Sequence, residues 1–296
     1  MNSLLEKEPI CLEDPDQNVW KYIFHFENAI AEAVLYRYNS FEERTVLCVS
    51  VQSGCPVGCT FCGTGNKFIR NLTFNEIVSQ VNYIIENKNI NTQDCNKFQI
   101  MFMSMGEPFL NYFNVENTIA ILAQTFPNAQ LLVSTIAPRK EEELKRFISL
   151  SKNIPKVGLQ FSIHSVYDNE RNKIIPYKNK LDLVEIRDYG VEWWHNTGRK
   201  VYLNYCVNAQ NSTVENFTEL RKLFPPNVFC FTFSVICSKD ETMKDAGYRN
   251  LDKIREFERY FLNIGYDTRI FDPAGQDSIG GGCGQLFYVQ NFLKNS

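Results

Sequence analysis

Cys55, Cys59 and Cys62 stand in the run Cys-Pro-Val-Gly-Cys-Thr-Phe-Cys, a CxxxCxxC spacing in a loop that carries a glycine. Three thiolates at that spacing can hold three irons of a four-iron cluster and leave the fourth iron open to an exogenous ligand. A structural zinc site is the alternative, and it wants four ligands. No second CxxC or nearby histidine completes that set, although Cys48, seven residues upstream, can be offered as the fourth.

Other residues invite chemistry. Glu107, in Met105-Gly106-Glu107-Pro108, supplies a carboxylate that can pair with a ligand ammonium, and Gly106 permits close backbone approach. The same acid could equally open a helix beside a turn proline. Cys283 follows three glycines in GGGCGQL, a flank that suits a mobile loop better than a packed core. Cys48 by itself reads as a buried strand cysteine. Cys11, Cys95, Cys206, Cys230 and Cys237 share no spacing, and those on or beside strands read as core.

The elements that must position these residues begin with WKYIFHFENAIAEAVLYRY (20–38), two apolar-aromatic runs split by Glu27 and Asn28, which predicts an antiparallel hairpin added to the main body. From Thr45 onward short β-branched runs alternate with helical ones, the pattern of βα units around a parallel sheet. The strands are 45–51, 97–105, 130–135, 156–163, 200–207 and 227–236, with helices near 73–88, 115–126, 139–152, 179–195, 213–224 and 249–264. Thr73, Asn114 and Thr213 are the expected caps. Six such units make either an open doubly wound sheet or an incomplete barrel, and both put ligands at the strand C-terminal ends. The cysteine loop, MGEP, Ser134-Thr135 and Ser162-Ile163-His164 all fall there.

With 44% hydrophobic and 22% charged residues, the composition is that of a globular chain with a sizeable core. The N-terminus lacks a basic segment followed by an apolar stretch, and no run is long enough to span a bilayer, so the expected location is cytoplasmic, with no membrane partner and the ten cysteines reduced. A net charge of -3 provides no global basic field for nucleic acid. Local basic groups are Lys67 with Arg70, Arg171 with Lys173, Lys178 with Lys180, and Arg199 with Lys200, each equally readable as a solvated face. Trp193 and Trp194 could stack bases, or pack.

Taken in order, TVLCVSVQSGCPVGCTFCGTGNKFIRNLT, MSMGEPFLN, LLVSTI, FSIHS and GGGCGQL closely resemble the radical S-adenosylmethionine (SAM) family that methylates adenosine in RNA, RlmN and Cfr. The resemblance implies an α/β fold, a partial (βα)6 TIM-type radical-SAM barrel (45–296) with an N-terminal β-hairpin extension (1–44). It also implies a short member without the family's N-terminal helical domain. A [4Fe-4S] cluster on Cys55, Cys59 and Cys62 is implied, with two S-adenosyl-L-methionine molecules per turnover. Gly106, Glu107, Ser134, Ser162 and His164 match SAM-contacting positions, and Ser238 stands where the family has asparagine.

Adenine ring carbons lack a usable lone pair, so they cannot attack SAM directly and need a methyl carrier. By resemblance Cys283 takes a methyl from one SAM, a second SAM is reductively cleaved, and the resulting 5'-deoxyadenosyl radical removes hydrogen from the S-methyl group. The methylene radical then adds to adenine C2 or C8, leaving a covalent protein-RNA adduct. Cys48 would resolve this adduct by forming a disulfide with Cys283. Glu32 resembles the general base, although the segment from it to Cys48 is about three residues longer here. The implied partners are ribosomal or transfer RNA and an external electron donor such as flavodoxin or ferredoxin, with the chain a monomer. A small nucleotide, peptide or natural product is the alternative acceptor, and a structural metal site in a binding module is the non-enzymatic one.

Overall fold

The computed structural model describes residues 4–65, 67–237, 246–282, 284–286 and 288–295. Strands β1 (Ile10–Glu13), β2 (Val19–Phe26) and β3 (Ala29–Tyr38) form an antiparallel meander. Glu27 and Asn28 make the turn between β2 and β3, with Phe26 paired to Ala29 and Asn28 at a φ of 52°. Asparagine tolerates the left-handed region, which is what a two-residue connection asks for.

Strand β4 (Arg44–Cys48) pairs antiparallel with β3 and parallel with β7 (Lys97–Phe102), so the hairpin continues the barrel sheet. Short β5 (Gln52–Gly54) and β6 (Phe68–Asn71) pair with each other and frame the loop that carries the three cysteines. Helix α1 (Phe74–Asn87) starts at the expected Thr73, in a capping box with Glu76, and buries Ile77, Val81 and Ile84. After β7 come α2 (Tyr112–Thr125), β8 (Gln130–Thr135), α3 (Glu141–Asn153), β9 (Val157–Ser162), α4 (Asp168–Ile174), α5 (Leu183–Thr197) and β10 (Val201–Cys206). The remainder is α6 (Val214–Leu223), β11 (Phe229–Ser234), a small β12 (Ile236–Cys237) and β13 (Ala246–Tyr248) pair, α7 (Leu251–Leu262), β14 (Thr268–Phe271) and α8 (Tyr288–Asn295).

The main sheet runs β1-β2-β3-β4-β7-β8-β9-β10-β11-β14, parallel from β4 onward. Parallel strands are covered on both faces, and β11 is accordingly buried at every position. All six strands read from the sequence are present. A seventh, β14, was not foreseen because its four residues, TRIF, are half-buried and too short to show a period. Asn114 does not cap α2; Asn111 holds the cap position, while Asn114 accepts from the Phe74 amide at 3.1 Å. That pins α1 to α2.

One hydrophobic cluster runs from Val19 on β2 to Val289 on α8, so the hairpin and the barrel share a core. The chain beyond β14 returns to the hairpin at the other side of the sheet order. Lys21 Nζ donates to Gly280 O at 3.2 Å and Gln285 O at 3.1 Å, and Tyr36 donates to Gly281 O. Among the described residues no helix is long and apolar enough to cross a membrane.

Gly54 tests the frame of the cysteine loop. Its φ is +75°, and a Cβ there would lie 1.7 Å from the Lys67 carbonyl oxygen. Backbone strain alone costs about 1–3 kcal/mol for a side chain in such a conformation, and the clash adds to it. Gly54→Ala should therefore lower the urea midpoint clearly, whereas alanine at Gly265, where the Cβ meets nothing within 4 Å, should cost only the left-handed strain.

Candidate active site

The cysteine loop leaves β5 at Cys55, whose amide donates to Lys67 O at 2.8 Å, and it is pinned further by Thr60 N to Ile174 O at 3.0 Å. Val57, Ile136 and Ile175 form a small separate core beneath it, with Cys55 and Cys59 packed on top. All three cysteines are half-buried and line one cavity of about 120 Å³. Among the described residues no group of three His, Cys, Asp or Glu side chains is drawn together to hold a single metal ion. A four-iron cluster places its protein thiolates on separate irons, so sulfurs around one cavity suit it. Burial pushes the Cys55 thiol up to about 12, with the charges of Cys62 and Glu107 adding to the rise. Coordination is what deprotonates such a thiol.

The same cavity is lined by Gly106, Glu107, Ser134, Ser162 and His164. Gly106 has a φ of +101°, and a Cβ there would lie 2.7 Å from Gln52 Cβ. Glu107 accepts from Phe109 N at 3.0 Å, Thr135 Oγ1 at 2.5 Å and Ile136 N at 2.9 Å. It therefore caps a short helical turn as well as facing the cavity. Burial raises this carboxyl to about 7 against the pull of those three donors. Ser134 accepts from Gln160 Nε2 at 3.0 Å.

His164 sits at a φ of 58°, and its Nδ1 accepts from Cys206 N at 3.1 Å. Burial, with the charge of Arg171, lowers it to about 3, so the ring is neutral at physiological pH with its proton on Nε2. Arg171 is itself 1% exposed and donates to Leu181 O, Ile136 O and Ser162 O. It ties three loops together and is unavailable as a surface contact for nucleic acid. Three of the other basic groups are engaged within the chain, Arg70 with Glu76, Lys180 with Tyr177 O and Lys200 with Asp267, while Lys67, Lys173 and Lys178 are exposed. Trp193 is wholly buried, so it packs.

A second cavity of about 300 Å³ occupies the barrel interior and shares Met103, Ser104, Gln160, Asn204 and Gly284 with the first. Cys48, at the end of β4, lines it together with Gly282 and Gly284. Cys283 and Ser238 lie outside the described residues.

Glu32, expected as the general base, is 0% exposed and lines neither cavity. Its Oε2 is 2.8 Å from Lys21 Nζ, and Oε1 accepts from Tyr288 N at 2.9 Å. Burial raises its carboxyl, and Lys21 and the Tyr288 amide oppose that. Lys21, which the sequence did not single out, holds the carbonyls of Gly280 and Gln285 on either side of position 283. Thr64 donates to Leu286 O at 2.9 Å and Gly63 N to Gly284 O, so the cysteine loop is fastened to the same segment.

Gln160, Asn204 and Thr232 were also missed. Their signal was a polar residue at alternate positions of apolar strands: Gln160 and Ser162 on β9, Thr232 and Ser234 on β11. A period of two turns all of them toward one face, here the barrel interior.

Comparison with known proteins follows the same lines. A model of the radical SAM superfamily matches residues 49–201. The chain is 29% identical over 297 residues to the probable dual-specificity RNA methyltransferase RlmN of Heliobacterium modesticaldum, covering 95% of this chain and 72% of that one. To the corresponding protein of Pseudothermotoga lettingae it is 30% identical over 305 residues, covering 98% and 84%. The crystal structure of a radical SAM methyltransferase from Sphaerobacter thermophilus superimposes with a TM-score of 0.79 at 27% identity, over 94% of this chain and 80% of that one.

Two predictions follow from the buried charges. Lys21→Met leaves Glu32 without its cation and should destabilise the chain by roughly 3–5 kcal/mol in equilibrium unfolding, while a Lys21→Met/Glu32→Leu double variant recovers most of that loss. His164 should give a pH signature. Between about 6.5 and 3 the unfolded histidine binds a proton that the folded site refuses, so this contribution is present above 6.5 and lost as pH falls. Unfolding midpoints of His164→Gln should therefore fall less than those of the native chain between pH 7 and 5.

Proposed function

The chain belongs to the radical SAM superfamily and within it to the RlmN/Cfr-like methyltransferases, and from that premise we propose that it methylates C2 or C8 of an adenine in RNA, using Cys283 as methyl carrier. It is a methyltransferase that uses a [4Fe-4S] cluster and SAM. The observation that carries the finer reading is the continuity of the two cavities, one lined by Cys55, Cys59 and Cys62 and the other by Cys48 and both neighbours of Cys283.

Cys55, Cys59 and Cys62 would hold the cluster, which with SAM supplies a hydrogen-abstracting carbon radical when an external donor such as flavodoxin or ferredoxin provides the electron. Glu107 binds the SAM ammonium, Gly106 offers its backbone, and Ser134 and Ser162 contact the rest of the molecule. Neutral His164 serves as a hydrogen-bond donor. Ser238 completes the set where relatives use asparagine.

Cys283 thiolate attacks the methyl of a first SAM. After the methyl carbon has been joined to the adenine ring, Cys48 thiolate attacks Cys283 sulfur; the disulfide forms as the bond from that sulfur to the methylene carbon breaks, and the carbon takes up a proton to become the product methyl group. Such a bond needs α-carbons within about 7 Å. Glu32 acts in this scheme through Lys21 and Tyr288, as a positioning residue of the carrier loop. A small nucleotide is the second reading of the acceptor, supported by the net charge of -3 and by the burial of Arg171.

With methyl-labelled SAM and the reconstituted protein, label should appear first on Cys283 and then in an adenosine of added ribosomal or transfer RNA. A cluster-bearing protein that never methylates Cys283 refutes the carrier role. Cys48→Ala should accumulate the covalent RNA adduct, visible as a shifted band that RNase trims, and clean turnover by that variant would rule out its resolving role.

A further inference from the structure

The barrel interior has a second end. Arg44 opens β4, Lys97 opens β7 and Arg269 is second in β14, so all three stand at the N-terminal ends of parallel strands, opposite the cysteine loop. All three line the 300 Å³ cavity. Four residues along β4 separate Arg44 from Cys48, about 13 Å at 3.3 Å per residue.

The two arginines are held by neutral groups. Arg269 Nε donates to Thr232 Oγ1 at 2.7 Å and its NH2 to Gln160 Oε1 at 3.4 Å. Arg44 Nε donates to Gln99 Oε1 at 3.0 Å, with its guanidinium 4.3 Å from the centre of the Tyr38 ring. Among the described residues none of the three forms an ion pair, and Asp267, two positions before Arg269, is taken by Lys200 at 2.6 Å. Partial desolvation lowers Lys97, and the charges of Arg44 and Arg269 lower it further, so the three feel one another. Arg269 is lowered by burial in the same way, with Arg44 adding to it. The one carboxylate on the cavity wall, Asp272, follows the C-terminal end of β14 and is taken by Arg249 at 2.9 Å. Like charges gathered at the N-terminal mouth are relieved by an anion, and two guanidinium groups with an ammonium match a phosphate.

We propose that this N-terminal mouth of the barrel binds a phosphate group through Arg44, Lys97 and Arg269, at a site separate from the cluster and SAM cavity. The inference does not depend on the methylation reading. The phosphate can be free, or it can belong to a nucleotide whose base reaches into the interior toward Gln160 and Asn204.

Isothermal titration of the cluster-reconstituted full chain at low salt, with inorganic phosphate, adenosine 5'-monophosphate and adenosine as separate ligands, tests this. Phosphate should bind saturably at one site, with affinity falling about tenfold in Lys97→Gln and at least as much in Arg269→Gln, the scale of one charge-assisted hydrogen bond. Tighter binding of the monophosphate than of phosphate assigns the nucleotide source; equal affinities assign free phosphate. Absence of phosphate binding, or affinity unchanged in Lys97→Gln, overturns the site. Lys97 is exposed, so its replacement keeps the test valid should Arg269→Gln not fold.

Discussion

The ion pair between Lys21 and Glu32 is wholly enclosed, and its position governs how the two ends of the chain meet. Removing two charges from water costs several kcal/mol each, and their attraction offsets that only when the remaining hydrogen-bonding capacity is also filled. Here the carbonyls of Gly280 and Gln285 take up the ammonium, and the Tyr288 amide takes up the carboxylate. The partners that complete the pair are thus backbone groups of the C-terminal segment. Hairpin and C-terminal segment cannot separate without stripping the enclosed pair of the backbone groups that complete its hydrogen bonding.

From that clamp the site follows. The segment held by Lys21 and Tyr36 is held on its other side by Gly63 and Thr64, which belong to the cysteine loop. Cys55, Cys59 and Cys62 are therefore placed relative to residues 282 and 284 through a few hydrogen bonds rather than through the whole barrel. Short mechanical links of this kind fix a reacting group closely, which matters because an error of about 1 Å in its position is costly.

The barrel supplies the remaining order. Parallel strands end together, so Glu107, Ser134, Ser162 and His164, far apart in sequence, arrive at one rim, while Arg44, Lys97 and Arg269 arrive at the other. Apolar outward faces pack against the helices, which leaves the alternate positions free to carry polar residues inward. That division explains why a single short strand can contribute both to the core and to the cavity.

By itself the sequence determined the local features: the CxxxCxxC loop, the hairpin broken at Glu27-Asn28, the helix caps at Thr73 and Thr213, and six parallel strands. Each depends on neighbours within a few residues, where spacing and propensity carry the information. The ordered motifs also disclosed the family and the membership of Gly106, Glu107, Ser134, Ser162 and His164 in one cavity. Tertiary structure alone decided that Glu32 is an enclosed partner of Lys21, that Arg171 is a buried tie between loops, and that β14 completes the sheet. A charged residue in an alternating strand looks the same whether its face meets water or a distant loop. Only long-range packing, which brings residue 285 to residue 21, distinguishes them.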